Sequence, residues 1–212
     1  MKPRHPSDFI GLTGRIASIL FATLPALKAD PGSDPMDRCH LFSGSFGIGK
    51  TSLALALAAE VTGEPLERLW RKQGFNVEQI NGQSLSIEVV RQWVRDGRYI
   101  PISGIRVQIV DEIDAGSHAA FSEARTYLEQ LPSHTLFIAT TNREPDQLQP
   151  QLQSRFQVWR FKPVEVAAIA RLLESRFHLD ADSSHTYALG SAGNVRAALL
   201  DAKAHLRTAA IA

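Results

Sequence analysis

The stretch Gly44-Ser45-Phe46-Gly47-Ile48-Gly49-Lys50-Thr51 places glycines, a lysine and a hydroxyl at the spacing G-x-x-x-x-G-K-[ST]. Each residue type has a chemical reason to be there. The glycines let successive backbone N–H groups turn toward one oxyanion, and a helix beginning at the lysine adds the positive end of its dipole. Lys50 would then neutralise charge on the β- and γ-phosphates of a nucleoside triphosphate, and the Thr51 hydroxyl would ligate magnesium, with Ser52 closing the contact set. Average residue frequencies make a chance match in a chain of this length roughly a one-in-a-hundred event. The bland alternative is a flexible glycine turn.

A second chemical grouping lies at Val107-Gln108-Ile109-Val110-Asp111-Glu112-Ile113-Asp114, where an apolar run ends in adjacent carboxylates. In a parallel sheet, ligands sit beyond the carboxyl ends of the strands, so this end should face the same crevice as the phosphate loop. There Asp111 is suited to the magnesium shell, and Glu112 to orienting or deprotonating an attacking water. The alternative is that Asp114 caps a helix beginning near Ser117 while its neighbours are solvated loop acids. Thr140-Thr141-Asn142 ends the next apolar run and would deliver a side-chain amide to the same sheet edge, where an amide can position water. Turn chemistry explains those three residues equally well.

These groups need a scaffold of alternating strands and helices. Leu12, Ile16, Ile19, Leu20 and Leu24 recur at helical spacing, with Pro25 helping to end that helix, and residues 29–37 form a surface loop rich in Pro, Gly and Asp. A strand over 39–42, the glycine-rich turn and a helix over 51–61 follow. Further buried strands are expected at 107–110, 136–140 and 158–161, with a fourth at 77–80, and helical patterns between them near 87–94 and 119–131. This alternation predicts an α/β fold, a five-stranded parallel sheet covered by helices in three layers. After Pro163, Val166, Ile169, Leu173 and Phe177 mark an amphipathic helix, and no strand pattern follows. The expected division is a nucleotide-binding domain over 1–162 and a small lid of three helices over 163–212.

Composition narrows the class. The chain of 212 residues is 44% hydrophobic and 21% charged, ordinary for a packed fold. Its 23 basic and 22 acidic side chains leave a net charge of +1, so a nucleic-acid surface would have to be local. Cys39, the single cysteine, excludes an intrachain disulfide and a cysteine-rich zinc site, and is expected to pack in the core. The apolar run 53–59 is too short to span a bilayer, and no signal-like run follows the first residues, so a cytoplasmic protein with no membrane partner is expected.

Taken in order, the motifs resemble an AAA+ ATPase, and in detail the clamp-loader subunits of the bacterial DNA polymerase III gamma and replication factor C type, over about residues 9 to 200. His40-Leu41-Phe42-Ser43-Gly44 is similar to the clamp-loader approach to the phosphate loop, and Phe9-Ile10-Gly11 to the family's nucleotide-edge motif, which implies that Ile10 and Gly11 touch the nucleotide. Asp111-Glu112-Ile113-Asp114 matches the acidic motif, and Asn142 falls at the first sensor position. The stretch from Gln149 to Phe156 resembles the Ser-Arg-Cys motif, with Phe156 in place of Cys, which implies that Arg155 is a finger supplied in trans to ATP on the adjacent subunit. The stretch Gly193-Asn194-Val195-Arg196 resembles the second sensor, which implies that Arg196 reaches the γ-phosphate of its own chain. The bland alternatives are a surface arginine at 155 and a solvated arginine at 196 in a helix capped by Asn194.

The resemblance implies ATP and Mg2+ as cofactors, other AAA+ subunits as partners, and DNA and a sliding clamp as further candidates. The chain departs from the family in lacking the cysteines of the gamma-type zinc module. The given sequence also ends where a loader subunit would continue into a collar domain. Arg91, Arg95 and Arg98 recur at i, i+4 and i+7, which would set three guanidinium groups on one helix face able to track DNA phosphates, although Glu88 and Asp96 dilute the stripe toward a merely solvated face. The expected function is a clamp-loader-like ATPase in DNA replication or repair. Two rivals are another AAA+ remodeller, such as a helicase-loading or transposition ATPase, and a nucleotide-binding assembly module that seldom hydrolyses.

Overall fold

The computed structural model describes residues 2–29, 34–148 and 150–209. Residues 30–33 of the expected surface loop and Gln149 of the arginine-bearing stretch lie outside them.

Five parallel strands form one sheet in the order β2-β3-β4-β1-β5: β1 Cys39–Ser43, β2 Val77–Asn81, β3 Arg106–Asp111, β4 Thr135–Thr141 and β5 Gln157–Arg160. Strand alternation sends side chains to two separate cores. On one face Phe42, Val107, Ile109, Leu136 and Ile138 pack under α1 (Gly11–Ala29), α2 (Lys50–Thr62) and α3 (Leu66–Trp70). On the other, Cys39, Leu41, Val110, Phe137 and Ala139 pack under α4 (Ile87–Asp96) and α5 (His118–Glu129). Cys39 is thus a core residue, its thiol pushed up to about 12 by burial. Helix α2 lies between the sheet and α1, which explains why Leu53 to Ala58 is apolar all round and at most 1% exposed. After the short α6 (Pro150–Gln153) and β5, the helices α7 (Val166–Phe177), α8 (Ala181–Gly190) and α9 (Val195–Ala209) enclose a third core around Ile169, Leu173, Ala188, Ala198 and Ala202. No helix among the described residues is long and apolar enough to cross a membrane.

Two sequence expectations need correction. Pro25 lies inside α1, which continues past it to Ala29 rather than ending there. The ring deletes one i→i−4 hydrogen bond, but Leu24 and Leu27 are both buried in the core, and that packing carries the helix past it. Helix α4 ends at Asp96, so Arg98 falls beyond it and the three arginines do not form one helical stripe. Gly97 caps the helix there, with Pro132 packed where a Cβ would stand.

The register aligns the strand ends. Asn81 pairs with Asp111, and Ser43 with both Thr141 and Arg160. Beyond β2 the backbone of Gly82 passes so close to β3 that an added Cβ would meet the Glu112 carbonyl oxygen at 2.1 Å. Gly82→Ala should therefore force these two strand ends apart, costing about 1–3 kcal/mol in a urea melt. An unchanged unfolding midpoint would show that the contact yields freely.

Candidate nucleotide site

The loop between β1 and α2 needs glycine where the backbone turns left-handed. Gly47 has φ +79° and Gly49 φ +105°, and Gly49 opens α2 as its N-cap. The loop is held from the N-terminal side, because Thr13 of α1, 2% exposed, donates its hydroxyl to the Ile48 carbonyl at 3.1 Å. It is held from the C-terminal side too. The Arg196 N–H at the start of α9 donates to the Gly47 carbonyl at 3.1 Å, and the Asn194 amide sits where any Cβ on Gly47 would go. Asn194 also caps α9, accepting from the Ala197 N–H at 3.1 Å.

At the centre of this arrangement Lys50 donates to the carbonyls of Gly44 and Ser45 at 2.6 and 2.7 Å and to Asn142 Oδ1 at 3.0 Å. Burial pushes its ammonium down to about 8; the Asp111 carboxylate opposes that push and the Arg196 guanidinium adds to it. Asp111 at the end of β3 accepts from Thr51 Oγ1 at 2.8 Å and Thr140 Oγ1 at 3.1 Å on one oxygen, and from Gln79 Nε2 at 2.7 Å on the other. Glu112 follows with φ +53°, a left-handed residue fixed by its N–H donating to Thr140 Oγ1 at 3.1 Å. Its carboxylate receives an amide on each side, Asn81 Nδ2 at 3.2 Å and Asn142 Nδ2 at 3.4 Å.

These residues open onto one cleft of about 1060 Å³, lined by Phe46 to Ser52, Asp111, Glu112 and Asn142, by Ile10 and Gly11 from the N-terminal side, and by Arg196 from α9. Nearly all the expected nucleotide residues are thereby brought together. Gly44 and Ser45 do not line the cleft; their carbonyls accept from the Lys50 ammonium. Asp114 does not cap the following helix. Ser117 does, accepting from the Ala120 N–H at 3.2 Å, while Asp114 turns toward β4. Arg155 is also outside the cleft, donating through Nε and Nη2 to Glu129 Oε1 at 3.1 and 2.5 Å. Arg91 pairs with Glu123 of α5 and Arg95 with Gln92, both away from the cleft. Sequence reasoning missed Thr13, Gln79, Asn81 and Thr140. Gln79 lies in the strand expected at 77–80 and Asn81 one residue beyond it, and neither carries a local signal of its role.

The donor set around Thr51 and Asp111 is oxygen only and small, and no group of three or more His, Cys, Asp or Glu side chains able to hold a metal occurs among the described residues. That suits a hard divalent cation that takes one carboxylate and one hydroxyl and completes its shell on phosphates and water.

A parallel sheet with a glycine-rich anion loop and carboxylates converging beyond its strand ends defines a P-loop nucleotide-binding protein. Residues 40–164 match the family described as ATPase family associated with various cellular activities (AAA), and the chain belongs to that family. It is 33% identical over 168 residues to a replication factor C small subunit of Thermoplasma acidophilum, covering 75% of this chain and 50% of that one. It is 35% identical over 138 residues to that of Methanosarcina acetivorans, covering 63% and 39%. The chain thus spans half or less of the length of these curated relatives. Among solved structures, a RuvB variant of Thermotoga maritima superposes with a TM-score of 0.72 at 21% identity, over 95% of this chain and 64% of that one, a likeness of fold.

The lysine makes the site sensitive to pH. Only the ammonium form attracts phosphate, and a bound polyphosphate raises its pKa, so binding takes up a proton once the pH passes the free value of about 8. ATP affinity should be flat below that value and fall as pH rises through it, by at most about tenfold per unit. Titration of a fluorescent ATP analogue from about pH 7 to about pH 9 checks this, and a flat profile would contradict it.

Proposed function

We propose that the chain is the motor portion of a clamp-loader-like ATPase, binding ATP between a nucleotide-binding domain over 1–162 and a helical lid over 163–212 and hydrolysing it in contact with a neighbouring AAA+ subunit. The observation that carries the proposal is the meeting of Thr51 from the phosphate loop with Asp111 from the acidic strand end at 2.8 Å. Two motifs separated by sixty residues of sequence thereby share one cleft. Likeness to replication factor C small subunits supports the choice of a clamp-loader role, with DNA and a sliding clamp as the implied targets.

Each residue then has a role. Backbone N–H groups of Gly47 to Thr51 cradle the phosphates, and Lys50 exchanges its loop carbonyls for β- and γ-phosphate oxygens. Thr51 and Asp111 would hold Mg2+, which when bound supplies charge neutralisation across the phosphates. Glu112 accepts the proton of the attacking water, and Asn142, lying between Lys50 and Glu112, orients that water. Asn81 acts on the same carboxylate from β2, holding it at the cleft wall until it is needed. Arg196 approaches the γ-phosphate from α9, and Ile10 and Gly11 meet the nucleotide on the N-terminal side. Arg155 serves a neighbour's site, a reading supported by its place outside its own cleft. Leaving Glu129 for that purpose costs little, since an exposed ion pair is screened by solvent. Arg91, Arg95 and Arg98 remain proposed DNA-phosphate contacts, acting from α4 and the turn after it rather than as one stripe.

Glu112→Gln should retain ATP affinity within a few-fold while turnover falls by about two to four orders of magnitude. Unchanged turnover would remove Glu112 from its role. Arg155→Ala should likewise bind ATP and turn over poorly. Mixing the two variants should recover activity, because one supplies the finger and the other the intact site. No recovery, with both variants shown to assemble, would refute action in trans.

A further inference from the structure

Asp114 is the last acid of the strand-end motif and neither lines the cleft nor caps the helix that follows it. Its carboxylate instead accepts the Thr141 hydroxyl at 2.7 Å and pairs with Arg143 Nε at 3.2 Å. Those two residues flank Asn142. Thr141 is fully buried, and because its single hydroxyl proton is committed to Asp114, its lone pair is turned toward the Arg143 N–H, which it accepts at 3.1 Å. The Arg143 carbonyl in turn accepts the hydroxyl of Ser43, at the end of β1, at 2.8 Å. Asn142 therefore stands at the apex of a turn closed by a side-chain hydroxyl and braced from two strands and from the Asp114 loop. Its amide is what bridges Lys50 and Glu112, at 3.0 and 3.4 Å.

We infer that Asp114 is a positioning residue for Asn142, acting through Thr141 and Arg143 to aim the amide that orients the attacking water. The Arg143 side chain is 56% exposed, so the ion pair adds little to fold stability and its effect is directional. The Thr141–Asp114 bond is the buried part of the brace and the stronger part, being a hydrogen bond to a charged acceptor. An amide held on one side only by Lys50 would follow that ammonium when phosphate draws it away. The brace keeps Asn142 in place when Lys50 changes partners. The inference rests on the reading of Asn142 as the water-orienting group.

The test uses the full chain and two readouts. The side-chain amide of Asn142, identified in heteronuclear NMR spectra by its loss in Asn142→Ala, should shift or broaden in Asp114→Ala and in Thr141→Val, and return in Thr141→Ser. Turnover at saturating ATP should fall roughly tenfold to a hundredfold in the first two variants, with KM changed less than about twofold. Asp114→Ala combined with Asn142→Ala should be no slower than Asn142→Ala alone. If Asp114→Ala does not fold, Thr141→Val, which removes the hydroxyl bound to the same carboxylate, is read in its place. An unmoved Asn142 signal in both Asp114 and Thr141 variants overturns the inference, as do losses that multiply in the double variant. Should Asn142→Ala leave turnover intact, the catalytic reading of Asn142 falls, while the amide signal still decides whether Asp114 holds it.

Discussion

The carboxylate of Asp111 is the point at which four elements of the sheet and its helices are tied. It sits at the end of β3 and accepts from Thr51 of α2, Thr140 of β4 and Gln79 of β2. A half-buried carboxylate loses part of its hydration, and three donors drawn from separate elements replace it only when those elements are in register. The position of the phosphate loop relative to the acidic strand end is thus set by hydrogen bonding to one side chain. The cleft follows from it.

The same loop is gripped from both ends of the chain. Thr13 of α1 takes the Ile48 carbonyl, and the start of α9 takes the Gly47 carbonyl, so the N-terminal segment and the last helix meet on two adjacent peptide units. Carbonyls engaged on the outside leave the N–H groups of the loop to turn inward, which is the arrangement an oxyanion requires. Glycine at 47 serves two ends at once. It permits φ +79°, and it leaves room for the Asn194 amide, which a Cβ would meet at 1.8 Å. A helix core packed some distance away, around Ile169, Leu173 and Ala198, is thereby connected mechanically to the phosphate loop.

Charge in the cleft is balanced locally. Lys50 is buried beside Arg196 and opposite Asp111, and the competition leaves its ammonium easier to deprotonate than an exposed lysine. Glu112 lies between two amides that can hold it without neutralising it. The arginine expected to act on a neighbour is kept on the outside by Glu129, whose own carboxyl is held below the usual range by that guanidinium.

Much of this was legible in the order of residues. Glycines and a lysine at fixed spacing, and two carboxylates closing an apolar run, carry chemistry that depends on local backbone geometry and strand direction, so the phosphate loop, Asp111 and Glu112 could be read without coordinates. Strand-helix alternation likewise sufficed for the five-stranded parallel sheet. What the sequence could not determine depends on contacts between distant segments. Pro25 looked like a helix end because local propensity cannot see Leu24 and Leu27, on either side of it, packing in the core. For Asp114 the sequence offered a place in the acidic motif, with a helix cap as the alternative, because its partners, Thr141 at the end of β4 and Arg143 just beyond it, are distant along the chain. Gln79 and Asn81 were silent because an amide in a strand acquires a role only when register sets it opposite Asp111 and Glu112. Local spacing thus determined which chemistry the chain carries, and only tertiary structure decided which side chains hold that chemistry in place, since hydrogen bonds reach a few ångströms in space and take no account of separation along the chain.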